Sequence, residues 1–205
     1  MNYTLLADGT SDMMLMGPIE WLLKRNGIMD YNGRFADPDA LPAVAEGLTA
    51  RIETAVREFP CEILFIHRDA ERIPLIDRQK EIKKALASIR TPPRSVCVVP
   101  VRMTEAWFLF DEHAIRRASG NPNGKTVLGL DILKTPESLN AKKVLQETLV
   151  KATELSGRRL AHWQRNQAQS KFRVRDYITD YSPLETMPSF KAFAAELQNV
   201  LSSSI

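Results

Sequence analysis

Ile63-Leu64-Phe65-Ile66-His67-Arg68-Asp69-Ala70-Glu71 is the stretch on which the fold turns. Four apolar residues in an unbroken run read as a strand buried on both faces, and that is the signature of a parallel sheet. The run stops on a basic and acidic patch. Two other runs stop in the same way. Tyr3-Thr4-Leu5-Leu6 leads into Ala7-Asp8-Gly9-Thr10-Ser11-Asp12, and Val96-Cys97-Val98-Val99 leads within a few residues to Thr104-Glu105-Ala106-Trp107. Parallel α/β sheets bind ligands beyond the carboxyl ends of their strands. Three acidic patches placed there are expected to meet, and clustered like charges require a cation or shared protons.

Helical patterns separate these runs. Strands are expected over about 2–7, 61–67 and 95–101, with helices over about 11–26, 43–58, 75–89 and 104–118. Gly17-Pro18 should kink the first helix or restart it. Residues 28–42 read as a loop with room for a short strand, because Asn32-Gly33, Asp37-Pro38 and Leu41-Pro42 are turn signals. Beyond 120 the pattern changes. A helix is expected over about 136–155, a basic irregular stretch over 158–181, and a final amphipathic helix from Pro188. The fold class is α/β: a three-layer sandwich with a mainly parallel central sheet over residues 1–120, and a helical, basic extension over 121–205 packed on it.

The 205 residues suit one domain with such an addition, and 44% apolar with 26% charged residues is ordinary globular composition. No apolar run approaches the roughly 20 residues of a membrane helix. The start, Met1-Asn2-Tyr3, has no signal-peptide pattern. Cys61 and Cys97 fall at or within buried strands and read as reduced core residues. The expected compartment is the cytoplasm. The net charge of +3 conceals an asymmetry: residues 1–80 carry 13 Asp and Glu against 9 Lys and Arg, and residues 81–205 carry 12 against 19. An acidic half beside a basic half suits a phosphate-bearing substrate.

Asp8, Asp69, Glu71 and Glu105 are the candidate ligands of a divalent metal, since hard cations prefer carboxylate oxygen. Asp8, Asp69 and Glu105 are the candidate catalytic residues. Asp69 and Glu71, two apart, would share one side of an extended chain. Each has a plainer reading. Asp8 suits a turn bonding its own backbone, and Glu105 suits a helix first turn. His67 is either a ligand, a proton carrier or structural. Arg68 either balances the acidic cluster or holds a phosphate. Asp-Gly-Thr is not the nucleophile loop of aspartate-based phosphatases, because Leu6 stands where the nucleophile belongs. Arg158, Arg159, Arg165, Lys171, Arg173 and Arg175, interleaved with Trp163, Phe172 and Tyr177, form a candidate track for a nucleic-acid backbone. If 171–175 is extended, its three basic residues point to one side.

An acidic residue followed by Gly-x-[ST]-[DE] after the first strand, an acidic D-x-D-like motif after a later one and Glu-Ala-Trp after the next resemble Toprim-type domains. The likeness is to small stand-alone Toprim-like proteins related to the nucleases of the OLD (overcoming lysogenization defect) group, and it spans about residues 1–120. It implies a metal-dependent nuclease using magnesium or manganese (Mg2+ or Mn2+) on DNA or RNA. It also implies an ATPase partner in an anti-phage system. Carried over, Asp8 takes the place of the first-strand Glu, Asp69 and Glu71 fall in the D-x-D region (or His67 pairs with Asp69), and Glu105 is the Glu before Ala-Trp. Two other readings use the same residues: a catalytically silent module binding nucleic acid or a partner, and a hydrolase of nucleotide phosphates.

Overall fold

The computed structural model describes residues 1–130, 140–165 and 167–203. Its described strands are β1 (Asn2–Leu6), β2 (Asn32–Ala36), β3 (Ile63–His67) and β4 (Ser95–Val98). They form one parallel sheet in the order β2-β1-β3-β4. The register pairs Leu6 with Ile66 and His67 with Val98, so the three acidic patches leave the same edge. The chain steps from β1 outward to β2 and then back past β1 to β3. The direction of winding therefore reverses between β1 and β3, and a crevice opens beyond their carboxyl ends at such a reversal.

The helices are α1 (Met16–Arg25), α2 (Leu48–Glu58), α3 (Leu75–Ala87), α4 (Glu112–Ala118), α5 (Ala141–Thr153), α6 (Gly157–Gln164), α7 (Gln167–Tyr177) and α8 (Pro188–Ser202). Alternate strand residues face two separate cores. Leu6, Leu64, Ile66 and Cys97 pack under Ile52 and Ala55 of α2 and Ile82 and Ala85 of α3. Tyr3, Leu5, Phe65, Val96 and Val98 pack under α1, α4, α5 and α8 through Ile19, Ile115, Leu145, Phe190 and Phe193. The architecture is thus a three-layer α/β sandwich, and the helical C-terminal part supplies much of one covering layer. No described helix is long and apolar enough to cross a membrane. Cys61 and Cys97 are both free, and burial pushes both thiols up.

Three local expectations need correction. The first helix is in two parts, a 3-10 segment Thr10–Leu15 and then α1. Pro18 falls in the opening turn of α1, where a missing N–H costs nothing. The span 104–118 is also divided, into a 3-10 segment Thr104–Phe108 and α4 starting at Glu112, where Asp111 accepts a bond from the Ala114 amide. The start expected at 136 for α5 lies outside the described residues. The stretch 158–181, expected to be irregular, carries two helices, α6 to Gln164 and α7 over Gln167–Tyr177. The buried stripe of α7 runs through Gln167, Ser170, Val174 and on to Ile178, at helical spacing. Two of those four are polar, so no hydrophobic period betrays the helix.

Edge strand β2 shows how tightly the sheet is built. Gly33 is the register partner of Tyr3, and a Cβ there would strike the Tyr3 ring. Tyr3 is fully buried and its hydroxyl donates to Glu20 Oε1 at 2.9 Å. Gly33→Ala is therefore expected to cost about 1–3 kcal/mol, the usual penalty of overpacking. A urea unfolding midpoint equal to that of wild type would contradict it.

Candidate active site

The crevice is assembled from three chain segments. Asp8 and Asp12 follow β1, His67 ends β3 and Asp69 follows it, and Thr104 and Glu105 begin the 3-10 segment after β4. Trp107, two residues further on, fixes that segment. Its indole N–H donates to Ser189 Oγ at 3.0 Å, and its ring stacks on Phe193 at 5.7 Å and meets Phe190 edge-on at 5.1 Å. The aromatic core thereby dictates where Thr104 and Glu105 stand.

The Thr104 hydroxyl is the centre of the polar network. Its Oγ1 lies 3.1 Å from Asp12 Oδ1, 3.2 Å from His67 Nε2 and 3.4 Å from Asp69 Oδ1. One hydroxyl proton serves three acceptors, so it can satisfy only one at a time. His67 is buried, and its Nδ1 lies 2.9 Å from the Val98 carbonyl. A carbonyl only accepts, so Nδ1 carries a proton and Nε2 is the nitrogen free to gain or lose one. With Nε2 bare, Thr104 donates to it. With Nε2 protonated, the ring donates and the Thr104 proton turns to a carboxylate. Protonated His67 also faces Asp69 Oδ1 at 3.5 Å and Asp12 Oδ2 at 3.7 Å. Asp12 is itself held by the Gly9 amide at 3.1 Å.

Asp69 registers the crowding. Burial pushes its carboxyl up to about 6, and the Asp12 and Glu105 carboxylates add to the rise, while His67 and the Thr104 amide pull the other way. Glu105 is 8% exposed, in the first turn of its 3-10 segment.

Asp8 is engaged differently. Arg68 Nε meets its Oδ2 at 2.9 Å, while Arg68 Nη1 reaches Glu81 Oε1 at 3.0 Å. Arg51, almost wholly buried on α2, stands 3.8 Å from Asp8 Oδ1 and donates to the Ala7 carbonyl at 2.7 Å and the Pro42 carbonyl at 2.9 Å. Arg68 therefore balances acidic charge in this structure. Glu71 stands apart. It is exposed, its φ of 52° is left-handed rather than extended, and its amide donates to the Arg102 carbonyl at 2.9 Å. The shared side expected for Asp69 and Glu71 is consequently absent.

The donor chemistry of Asp12, Asp69, Glu105 and Thr104 fits a hard divalent cation, being all oxygen and mostly carboxylate. Among the described residues no three His, Cys, Asp or Glu side chains stand arranged around an ion as they are. One oxygen of Asp12 and one of Asp69 instead lie within reach of the single Thr104 hydroxyl proton, so a cation has to compete with that hydroxyl.

The six basic candidates do not form one track. On helix α7, residues two apart fall on nearly opposite faces, so Lys171, Arg173 and Arg175 do not share a side. Arg175 pairs with Asp176 at 2.8 Å and donates to the Met13 carbonyl at 3.3 Å. Arg158, Arg159 and Arg173 line one cavity, while Arg165 is exposed outside it.

Sequence reasoning did not assign Asp12, Thr104 or Arg51. Asp12 ends the Gly9–Asp12 motif and Thr104 precedes Glu105, so position beside a strand end was the available signal. Arg51 sits mid-helix with no local sign of its reach. Comparison with protein-family models, curated proteins and solved structures finds no match.

Proposed function

We propose that the chain is a divalent-metal-dependent nuclease, hydrolysing phosphodiester bonds of DNA or RNA. The observation that carries this reading is the convergence of Asp12, Asp69 and Glu105 around one Thr104–His67 pair, at the sheet edge where the winding reverses. Magnesium or manganese, if held there, would supply an activated water and neutralise charge developing on the phosphoryl oxygens. Asp12, Asp69 and Glu105 would hold it. His67 Nε2, whose partner nitrogen is pinned to Val98, is placed to accept a proton and pass it through Thr104 to a carboxylate. The Toprim resemblance supports the same activity, and supports an ATPase partner in anti-phage defence.

The alternative is a silent module that binds nucleic acid or a partner without cleaving it. The pairing of Asp8 with Arg68 and Arg51 favours it, since a neutralised carboxylate attracts a cation less. Cleavage of single- and double-stranded DNA and RNA with millimolar manganese or magnesium separates the two. The nuclease reading expects cleavage that chelator abolishes and that Glu105→Gln lowers by about a hundred-fold or more. It also expects the metal to raise the unfolding midpoint, through a stabilisation of about 2.7 kcal/mol at a hundred-fold excess over its dissociation constant. Equal cleavage by wild type and Glu105→Gln sinks the proposed site. No cleavage and no metal-induced shift favour the silent module. Hydrolysis of mononucleotides without polymers would instead mark a nucleotide-phosphate hydrolase.

A further inference from the structure

A second concavity, of about 640 Å3, opens between the C-terminal end of α4, α6 and α7 and shares no residue with the carboxylate cluster. Its volume is in the range of small-ligand sites. Arg158, Arg159 and His162 of α6 and Arg173 of α7 line it, and none of its lining residues is acidic. The apolar part of the wall includes Trp163 and Leu155. The Trp163 indole N–H donates to the Ser119 carbonyl at 3.1 Å, which anchors the ring in that wall.

Several arginines elsewhere among the described residues are paired with carboxylates. Arg68, Arg78, Arg116 and Arg175 each pair with a Glu or Asp. Among the described residues no acidic group lies within ion-pair reach of Arg158, Arg159 or Arg173. Arg158 and Arg159 also stand in the first turn of α6, which no side chain caps, so the unbonded amides of that turn add positive potential. Three unpaired guanidiniums around one hollow repel one another, and a bound anion relieves that repulsion. A planar fork of N–H donors is matched to phosphate oxygens. An indole and aliphatic wall beside the cations is matched to the flat face of a base.

We infer that this cavity is a binding site for a nucleoside phosphate, with Arg158, Arg159 and Arg173 on the phosphate and Trp163 beside the base. The two sources of such a group are a free mononucleotide and the phosphorylated end of a nucleic-acid strand. The second source deepens the nuclease reading and rests on it, because it makes the cavity the place where the substrate strand is gripped by its end. The cavity holds one nucleotide unit, in contrast to a surface track that follows many phosphates.

The test uses the full chain carrying Asp69→Asn, without metal, so that binding is scored apart from hydrolysis. Adenosine monophosphate, adenosine, and an oligonucleotide with and without a 5′-phosphate are titrated by calorimetry. Adenosine monophosphate is expected to bind and adenosine to bind at least about ten-fold more weakly, as loss of a charge-assisted phosphate contact requires. Arg158→Ala with Arg173→Ala is expected to remove that difference, and Arg173→Lys to restore part of it, with unchanged circular dichroism and unfolding midpoint. A preference for the phosphorylated over the unphosphorylated oligonucleotide assigns the strand end, and binding of the mononucleotide alone assigns the free nucleotide. Binding of adenosine as tight as that of its monophosphate, binding undiminished in the double variant, or no binding by any probe overturns the inference. None of these outcomes depends on whether wild type cleaves.

Discussion

An alanine at Trp107 is expected to destabilise the protein by about 3–5 kcal/mol, the range for deleting a large buried aromatic. Trp107 is fully buried and touches both Phe190 and Phe193 of α8, and Phe193 in turn meets Phe65 of β3 edge-on at 6.1 Å. Removing the indole opens a void where the 3-10 segment, the last helix and the sheet come together. Phe at this position keeps most of the ring contact and loses only the bond to Ser189, so Trp107→Phe should cost about 1–2 kcal/mol. Denaturant midpoints for the two variants check the order. A loss of under about 1 kcal/mol for Trp107→Ala would mean that α8 does not hold the segment that carries Thr104 and Glu105. In the folded fraction of Trp107→Ala, cleavage should fall as well, because those two residues lose their support.

The residues that were legible from sequence are those whose role follows from strand position. Short, largely apolar runs identified β1, β3 and β4, and a parallel sheet necessarily brings their carboxyl ends to one edge. Asp69 and Glu105 are in the crevice for that reason. What stayed hidden depends on contacts between distant elements. Arg51 reaches Ala7 and Asp8 across 44 positions only because α2 packs on the sheet. Arg68 turned out to be tied to Asp8 and Glu81 because α3 passes beside it. Glu71 looked like a partner of Asp69 under an extended backbone, and a left-handed turn carried it away. Helix α7 escaped because its inner face uses Gln167 and Ser170, which bond or bury without apolar periodicity.

Asp69→Asn is expected to abolish cleavage and to stabilise the fold at the same time. The first effect follows from removing a charge at the centre of the proposed site, and should reach about a hundred-fold or more. The second follows from linkage. The Asp69 carboxyl sits at about 6 in the folded protein against an ordinary value of 3.8, so the folded state holds its proton more tightly than the unfolded state does. The ionised form therefore destabilises the fold. This penalty is absent below 3.8, grows as pH rises from 3.8 to about 6, and is full above 6. Two pKa units correspond to about 3 kcal/mol, and a side chain 34% exposed is screened by water, which leaves about 1–2 kcal/mol. Asn has no charge to desolvate and nearly the same shape. Urea unfolding at about pH 8 should then show the variant more stable than wild type by that amount, and the gap should close at about pH 4. A variant less stable than wild type at about pH 8 would mean that ionised Asp69 is a net structural partner of His67. A purely structural Asp would be expected to weaken the fold when removed. One that weakens it by being present is kept for its charge, and the chemistry proposed for this crevice is a use for that charge.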